Sequence, residues 1–235
     1  HRPGAFTAPI TFPLAVKAVM IDLDGTLLDT AGDLAAAANM MLRELGQPEL
    51  PLATIQTFIG KGVPKLVKRT LTNSLDGEPD AGLFARAMPI YQRDYAKTLS
   101  VNTHPYPGVV DGLKALREAG FHLACITNKA EVFTLPLLKA TGLHDFFEII
   151  LSGDSLPEKK PHPMPLLHAC KHFGITPDQM LLIGDSLNDA QAARAAGCHV
   201  FVVPYGYNEG RDVRELDVDA IVATVYDAAK QIKLS

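Results

Sequence analysis

Short apolar runs that do not alternate with polar residues lie at Ala18–Ile21, 122–127, 146–151, 180–183 and 199–203, with a weaker one at 220–222. Such runs suit strands covered on both faces. Helical patterns separate them: 112–119 before Gly120, Glu131–Ala140 shortly before Gly142, 163–173 before Gly174 and 189–196 before Gly197. Glycine just past the last turn is a common helix stop. Strand, helix and strand in alternation predict a parallel sheet with crossover helices.

Between 30 and 103 this rhythm breaks. Helical patterns cover 33–45, which stops at Gly46, then 61–75 after the glycine-flanked turn "IGKGVPK", then a long amphipathic stretch at 80–99, and no strand is evident. The segment "HPYPGV" at 104–109 returns the chain to alternation. The pattern predicts a helical domain, 30–105, inserted into an α/β core made of 17–29 and 106–235. The crossings near 28–31 and 103–108 would be hinges. Residues 1–16 read as an N-terminal lead-in without a charged-then-apolar signal pattern.

Composition narrows the class. A length of 235 residues, 47% of them hydrophobic, suits one large domain or a core with an insertion. Lys and Arg total 22 against 26 Asp and Glu, a formal charge of −4. No basic excess points to nucleic acid or an anionic membrane surface. No apolar run reaches the roughly 18 residues of a spanning helix. Cys125, Cys170 and Cys198 are scattered and read as small buried hydrophobes in a reducing compartment. The expectation is a cytoplasmic protein, with monomer and homodimer both open.

Candidate chemistry sits where the strands end. In open α/β sheets ligands bind outside the carboxyl ends of the strands. The first run delivers Asp22-Leu23-Asp24-Gly25-Thr26, the second Thr127-Asn128-Lys129 and the fourth Gly184-Asp185-Ser186-Leu187-Asn188-Asp189, while Glu158-Lys159-Lys160-Pro161 precedes the 163–173 helix. One polar residue at a strand end is ordinarily a turn or a cap. Four polar ends, three acidic or hydroxyl-bearing and one lysine-rich, are more than a structural sheet needs. Asp22 and Asp24 start on the same face of the strand, and Gly25 permits a sharp turn away. Buried carboxylates are costly unless paired, hydrogen-bonded or bound to a metal.

These residues resemble the motifs of the haloacid dehalogenase superfamily of phosphatases: "DLDGT", "ITN", "KKPHP" and "GDSLND", in the family's order from 22 to 189. The resemblance implies a Rossmann-like parallel-sheet core with an inserted α-helical cap. It implies that Asp22 attacks phosphorus to form an aspartyl-phosphate and that Asp24 protonates the leaving oxygen and later deprotonates water. It implies Mg²⁺ held by Asp22, the backbone carbonyl of Asp24 and Asp185. Lys160 would neutralise phosphoryl oxygens and the nucleophile, and Thr127 and the amide of Asn128 would bind the phosphoryl group. Asp189 would orient Lys160 or a water on the ion. Lys160 is preferred to Lys159 because it directly precedes Pro161.

Asp24 favours a phosphate ester over a carbon–halogen substrate. "FIGKGVPKLVKRTL", "YPGV" and "YGYNEG" are similar to segments of the bacterial phosphoglycolate phosphatases within the superfamily. That likeness implies a small phosphorylated metabolite, 2-phosphoglycolate, as partner. Another sugar phosphate or nucleotide, or a β-phosphoglucomutase-type transfer, stays open, as does a phospho-acceptor signalling module, which would not need the 30–105 insertion. Lys61 is the candidate cap contact to substrate. Lys65 and Arg69, four apart on one helical face, are further candidates for substrate contact, the alternative being an ordinary solvated basic face. Tyr205, Tyr207 and Asn208 could line the rim. His162, His168 and His172 read as surface histidines, since no HExxH glutamate accompanies them.

Overall fold

The computed structural model describes residues 10–235. Ala18–Ile21, the first apolar run, forms β2 at the middle of a six-stranded, all-parallel sheet. The other members are β5 (His122–Ile126), β6 (Ile149–Leu151), β7 (Met180–Gly184), β8 (His199–Val202) and β9 (Ala220–Ile221), in the order β6-β5-β2-β7-β8-β9. The chain winds outward from β2 to β6, returns beside β2 as β7, and winds the other way. The direction reverses at β2, which places the crevice for a ligand at the carboxyl ends of β2 and β7.

Both faces of the sheet are covered, which is why the runs lack alternation. Val19, Ile21, Leu123, Cys125, Leu181 and Ile183 pack with α5 (Val109–Glu118), α6 (Glu131–Ala140) and α9 (Val225–Lys230). Met20, Ala124, Ile126 and Leu182 face α7 (Met164–Phe173) and α8 (Leu187–Ala196). Each fully buried Leu or Ile in these layers contributes about 1.5–3 kcal/mol.

A helical unit with its own core rises from the carboxyl edge of the sheet. It contains α1 (Ala31–Glu44), α2 (Leu52–Gln56), α3 (Val63–Thr72) and α4 (Ala81–Thr98). Ala87, Tyr91 and Tyr95 recur along one face of α4 and meet Leu34, Ala38 and Met41 of α1. Phe133 and Tyr207, from the sheet domain, enter this same cluster.

The chain enters and leaves the helical unit through a short antiparallel ribbon, β3 (Leu28–Asp29) with β4 (His104–Pro105). The ribbon falls at the two anticipated crossings, although neither half carries a strand-like pattern. Buried Asp33 secures the return: it accepts from the Asn102 amide at 2.9 Å and the Thr103 hydroxyl at 2.8 Å.

Several boundaries differ from expectation. Residues 144–146 form a 3-10 turn, so β6 begins only at Ile149. Part of the anticipated lead-in is strand: β1 (Leu14–Val16) pairs parallel with β10 (Ile232–Leu234), a partner 218 residues away that no local pattern reveals. Residues 1–9 of the anticipated lead-in lie outside the described residues. α2 and α9 are too short to show periodicity. Among the described residues no helix is long and apolar enough to cross a membrane.

Candidate active site

Three strand ends and one loop deliver their polar groups to one point. Asp22 follows β2, where its amide donates to the Ile183 carbonyl at 3.0 Å and its carboxylate accepts from the Leu23 amide at 2.7 Å. The chain then turns at Gly25, whose φ is +84°. A Cβ there would lie 2.1 Å from an oxygen of Asp185, so only glycine permits this turn beside β7. Thr26, on the far side of the turn, donates from its hydroxyl to Asp185 at 3.1 Å.

Lys160 lies beneath Asp22 and is 2% exposed, whereas Lys159 is exposed and donates to the Lys61 carbonyl. The Lys160 ammonium finds three acceptors for its three N–H groups: the Ile126 carbonyl at 2.8 Å, Asp189 at 2.7 Å and Asp22 at 3.2 Å. A phosphoryl oxygen would reach it only by displacing one of these. Burial alone would lower its pKa, but the charges of Asp189 and Asp22 outweigh burial and raise it.

Asp189 is fully buried in the first turn of α8. One oxygen takes Lys160; the other accepts from the amides of Asp185 and Ser186 at 3.0 and 3.3 Å. Asp189 therefore holds both Lys160 and the backbone of the 184–186 turn. Asp185 accepts from Thr26 and, at 2.7 Å, from the Tyr207 amide.

Asp22, Asp185 and Asp189 each offer an oxygen within 4.8 Å of the others, a group that could hold a metal ion. Three carboxylates against one ammonium leave an excess of negative charge in a buried space. Asp22 is pushed up from 3.8 to about 7, first by burial and then by Asp189, against the pull of Lys160 and the Leu23 amide. Asp185 is held well above the carboxylate range by burial and by the charges of Asp22 and Asp189. Hard oxygen donors crowded into mutual repulsion fit a divalent cation. Asp185 accepts at both oxygens, from Thr26 and the Tyr207 amide, as Asp189 does from Lys160 and the Asp185 amide, so these bonds alone do not separate the three acids as donors.

Raised carboxyl pKa values mean that the folded chain binds protons more tightly than the unfolded one. The stability Asp22 contributes is complete below about pH 4 and is lost as pH rises through about 7, and Asp185 acts in the same direction. Protein stripped of divalent cations should thus melt at a lower temperature at about pH 8 than at about pH 5.5, and added cation should restore stability chiefly at the higher pH. Thermal unfolding in chelator, with and without cation, measures this; a profile that rises with pH would contradict it.

Asp24 lines the same cavity as Asp22. It accepts from the Thr30 hydroxyl at 2.6 Å and pairs with Lys129 at 3.0 Å. Thr127 is 3% exposed and accepts from the Lys129 amide; the Asn128 side chain donates to the Gly60 and Lys160 carbonyls and keeps its own buried oxygen unpartnered. Asp22, Asp24, Thr127, Asn128 and Lys129 form the floor of a cavity whose roof is Leu34, Ile59, Val63 and Leu66 of the helical unit, with Gly60 and Gly62.

Some candidates fall elsewhere. Lys61 donates to Asn188 at 2.9 Å and borders a separate depression with Lys159, Lys160 and His162. Arg69 is not on a solvated basic face and is not available to a ligand. It is 1% exposed and engaged by Phe58, Leu75 and Glu209, because α3 turns that face onto the sheet domain. Lys65, one turn earlier, stays half-buried. Tyr207 is more than rim: its amide holds Asp185, and its hydroxyl accepts from the Thr30 and Ala31 amides at 3.0 Å. Tyr205 donates to the Thr26 carbonyl, and Asn208 accepts from the Leu187 amide. His162, His168 and His172 are exposed.

Lys129 and Thr26 had drawn no role from the sequence. The available signal was position alone: both belong to the strand-end segments already singled out, Thr26 to 22–26 and Lys129 to 127–129.

The family model for haloacid dehalogenase-like hydrolases matches residues 19–203. A protein of Nitrosospira multiformis named phosphoglycolate phosphatase is 71% identical over 224 residues, covering 95% of this chain and 99% of that one. Another of that name, from Thiobacillus denitrificans, is 61% identical over 222 residues, with 94% and 98% covered. Among solved structures, a protein of Haemophilus somnus described as a predicted phosphoglycolate phosphatase superposes with a TM-score of 0.87 at 35% identity, covering 92% of this chain and 97% of that one.

Proposed function

The chain belongs to the haloacid dehalogenase-like hydrolases, and on that premise we propose that it hydrolyses 2-phosphoglycolate to glycolate and phosphate. The observation that carries this reading is the position of the Asp22 carboxylate: at the switch point of the sheet, 3.2 Å from a buried lysine, opening into a cavity roofed by the helical unit. The relatives' names supply the substrate.

Asp22 attacks phosphorus, the bond to the glycolate oxygen breaks, and an aspartyl-phosphate forms. Asp24, poised by Thr30 and Lys129, gives its proton to the departing oxygen. It then takes a proton from water as that water attacks the aspartyl-phosphate, which releases phosphate and restores Asp22. Lys160 keeps Asp22 anionic and oriented, with Asp189 holding Lys160 in place. Thr127 and the Asn128 amide bind the phosphoryl oxygens. Mg²⁺ would be held by Asp22, Asp185 and the Asp24 carbonyl, and when bound it supplies charge neutralisation between carboxylate and phosphate. Leu34, Ile59, Val63 and Leu66 exclude water from the reacting groups. The 30–105 helices act as a cap that opens about the β3–β4 ribbon, and Lys61 at its edge assists substrate entry.

A phosphate-release panel of 2-phosphoglycolate, glucose 1- and 6-phosphates, nucleoside monophosphates and pyrophosphate tests the reading, run with Mg²⁺ and again with chelator. The expected result is a kcat/KM at least about a hundredfold higher for 2-phosphoglycolate, lost on chelation. Broad activity without that preference would discard the substrate.

A further inference from the structure

The carboxylate of 2-phosphoglycolate needs a partner. It lies two bonds from the ester oxygen that leaves, so whatever recognises it must stand beside the group that protonates that oxygen. The cavity is otherwise hostile to a second anion: Asp22 and Asp24 are acidic, and Leu34, Ile59, Val63 and Leu66 are apolar. An unpaired carboxylate would be desolvated there at high cost.

Lys129 is the one cationic side chain lining this cavity among the described residues. Its ammonium is 3.0 Å from Asp24 and 4.7 Å from the centre of the Tyr95 ring. Its backbone is fixed on both sides: the amide donates to the Thr127 hydroxyl, and the carbonyl accepts from the Gly153 amide at 2.8 Å and the Thr134 hydroxyl at 3.2 Å. The side chain is 4% exposed. An ammonium carries three donors. Asp24 takes one, and the aromatic face of Tyr95 attracts the charge without using up the others. The remaining donors have the cavity as their outlet. Of the cations on the helical unit, Lys61 is engaged by Asn188 and Arg69 by Glu209, and Lys65 does not line the cavity.

We propose that Lys129 is the specificity residue that binds the substrate's carboxylate while it holds Asp24, so that one ammonium bridges the anionic end of the leaving group and the acid that protonates it. The proposal rests on the 2-phosphoglycolate reading. Under it the cap supplies an apolar roof and the sheet domain supplies the charge that selects. An ester with a neutral group in place of the carboxylate leaves that lysine donor without its partner and is rejected. A monoester with a bulky leaving group meets Lys129 and the apolar roof of Leu34, Ile59, Val63 and Leu66.

The comparison that isolates this role uses 2-phosphoglycolate and its uncharged, nearly isosteric amide, 2-phosphoglycolamide. The wild-type protein should prefer the carboxylate by about a hundredfold or more in kcat/KM. Lys129→Met should reduce that ratio to within about threefold of unity. Any harm done through Asp24 would lower both substrates together and cancel from the ratio. Lys129→Arg, which keeps a cation, should retain most of the preference. If Lys129→Met does not fold, Lys129→Gln keeps a hydrogen bond to Asp24 without the charge and should show the same collapse. A variant that loses activity equally on both substrates and keeps the wild-type ratio overturns the proposal while leaving the substrate reading intact. A wild-type protein indifferent to the carboxylate overturns the substrate reading, and the role of Lys129 with it.

Discussion

Asp22→Asn should lower phosphate release from 2-phosphoglycolate by about four orders of magnitude or more without unfolding the protein. An amide oxygen is too poor a nucleophile to attack phosphorus, and losing the nucleophile of a covalent mechanism removes most of the acceleration. The same substitution takes one charge out of a cluster in which Asp22, Asp185 and Asp189 repel one another. Asparagine can still accept from the Leu23 amide, as the carboxylate does at 2.7 Å. The metal-free variant should therefore melt no lower than wild type at about pH 8, where the repulsion is strongest, and the two should converge towards about pH 5. Single-turnover kinetics with acid quench would show no trapped phosphoryl-enzyme. Turnover near the wild-type rate would remove Asp22 from the nucleophile's role.

Lys160→Met should harm both catalysis and stability. The ammonium is buried against two carboxylates and a backbone carbonyl. Removing one member of a buried charge network leaves the others unpaired, at a cost of about 3–5 kcal/mol. The loss should be largest near neutral pH and shrink in acid, because protonation of Asp22 relieves the deficit that the missing lysine creates. Lys160 itself stays charged across that range, its pKa being raised, so the pH dependence belongs to the carboxylates. Activity should fall about a thousandfold, since Asp22 loses the charge that keeps it ionised and aimed. Denaturant unfolding at about pH 5 and pH 8 separates this from a simple packing defect, which would cost the same at both.

The two lysines in the "EKKPHP" segment show what the resemblance to a family motif adds to local pattern. Only the resemblance to the family motif, in which the lysine directly precedes the proline, singled out Lys160 over Lys159; the structure buries the former and exposes the latter. Arg69 shows the opposite. A basic residue on an amphipathic helix looks solvated, yet α3 presents it to the 204–210 loop, where Glu209 lies 140 residues further along the chain. Tyr207 is similar: nothing near "YGYNEG" indicates that its amide would hold Asp185 and its hydroxyl the start of α1.

Strand period, helix stops and strand-end positions are local properties, so the parallel sheet, the helices between β3 and β4, and the acids and lysine at the strand ends were legible in the chain alone. Tertiary structure alone decided which cations reach the cavity. Lys61 and Asn188, Lys129 and Asp24, and Arg69 and Glu209 are each more than a hundred residues apart. Whether a lysine is solvated, structural or aimed at a ligand depends on what the fold packs around its last methylene, and no window of neighbouring residues contains that information.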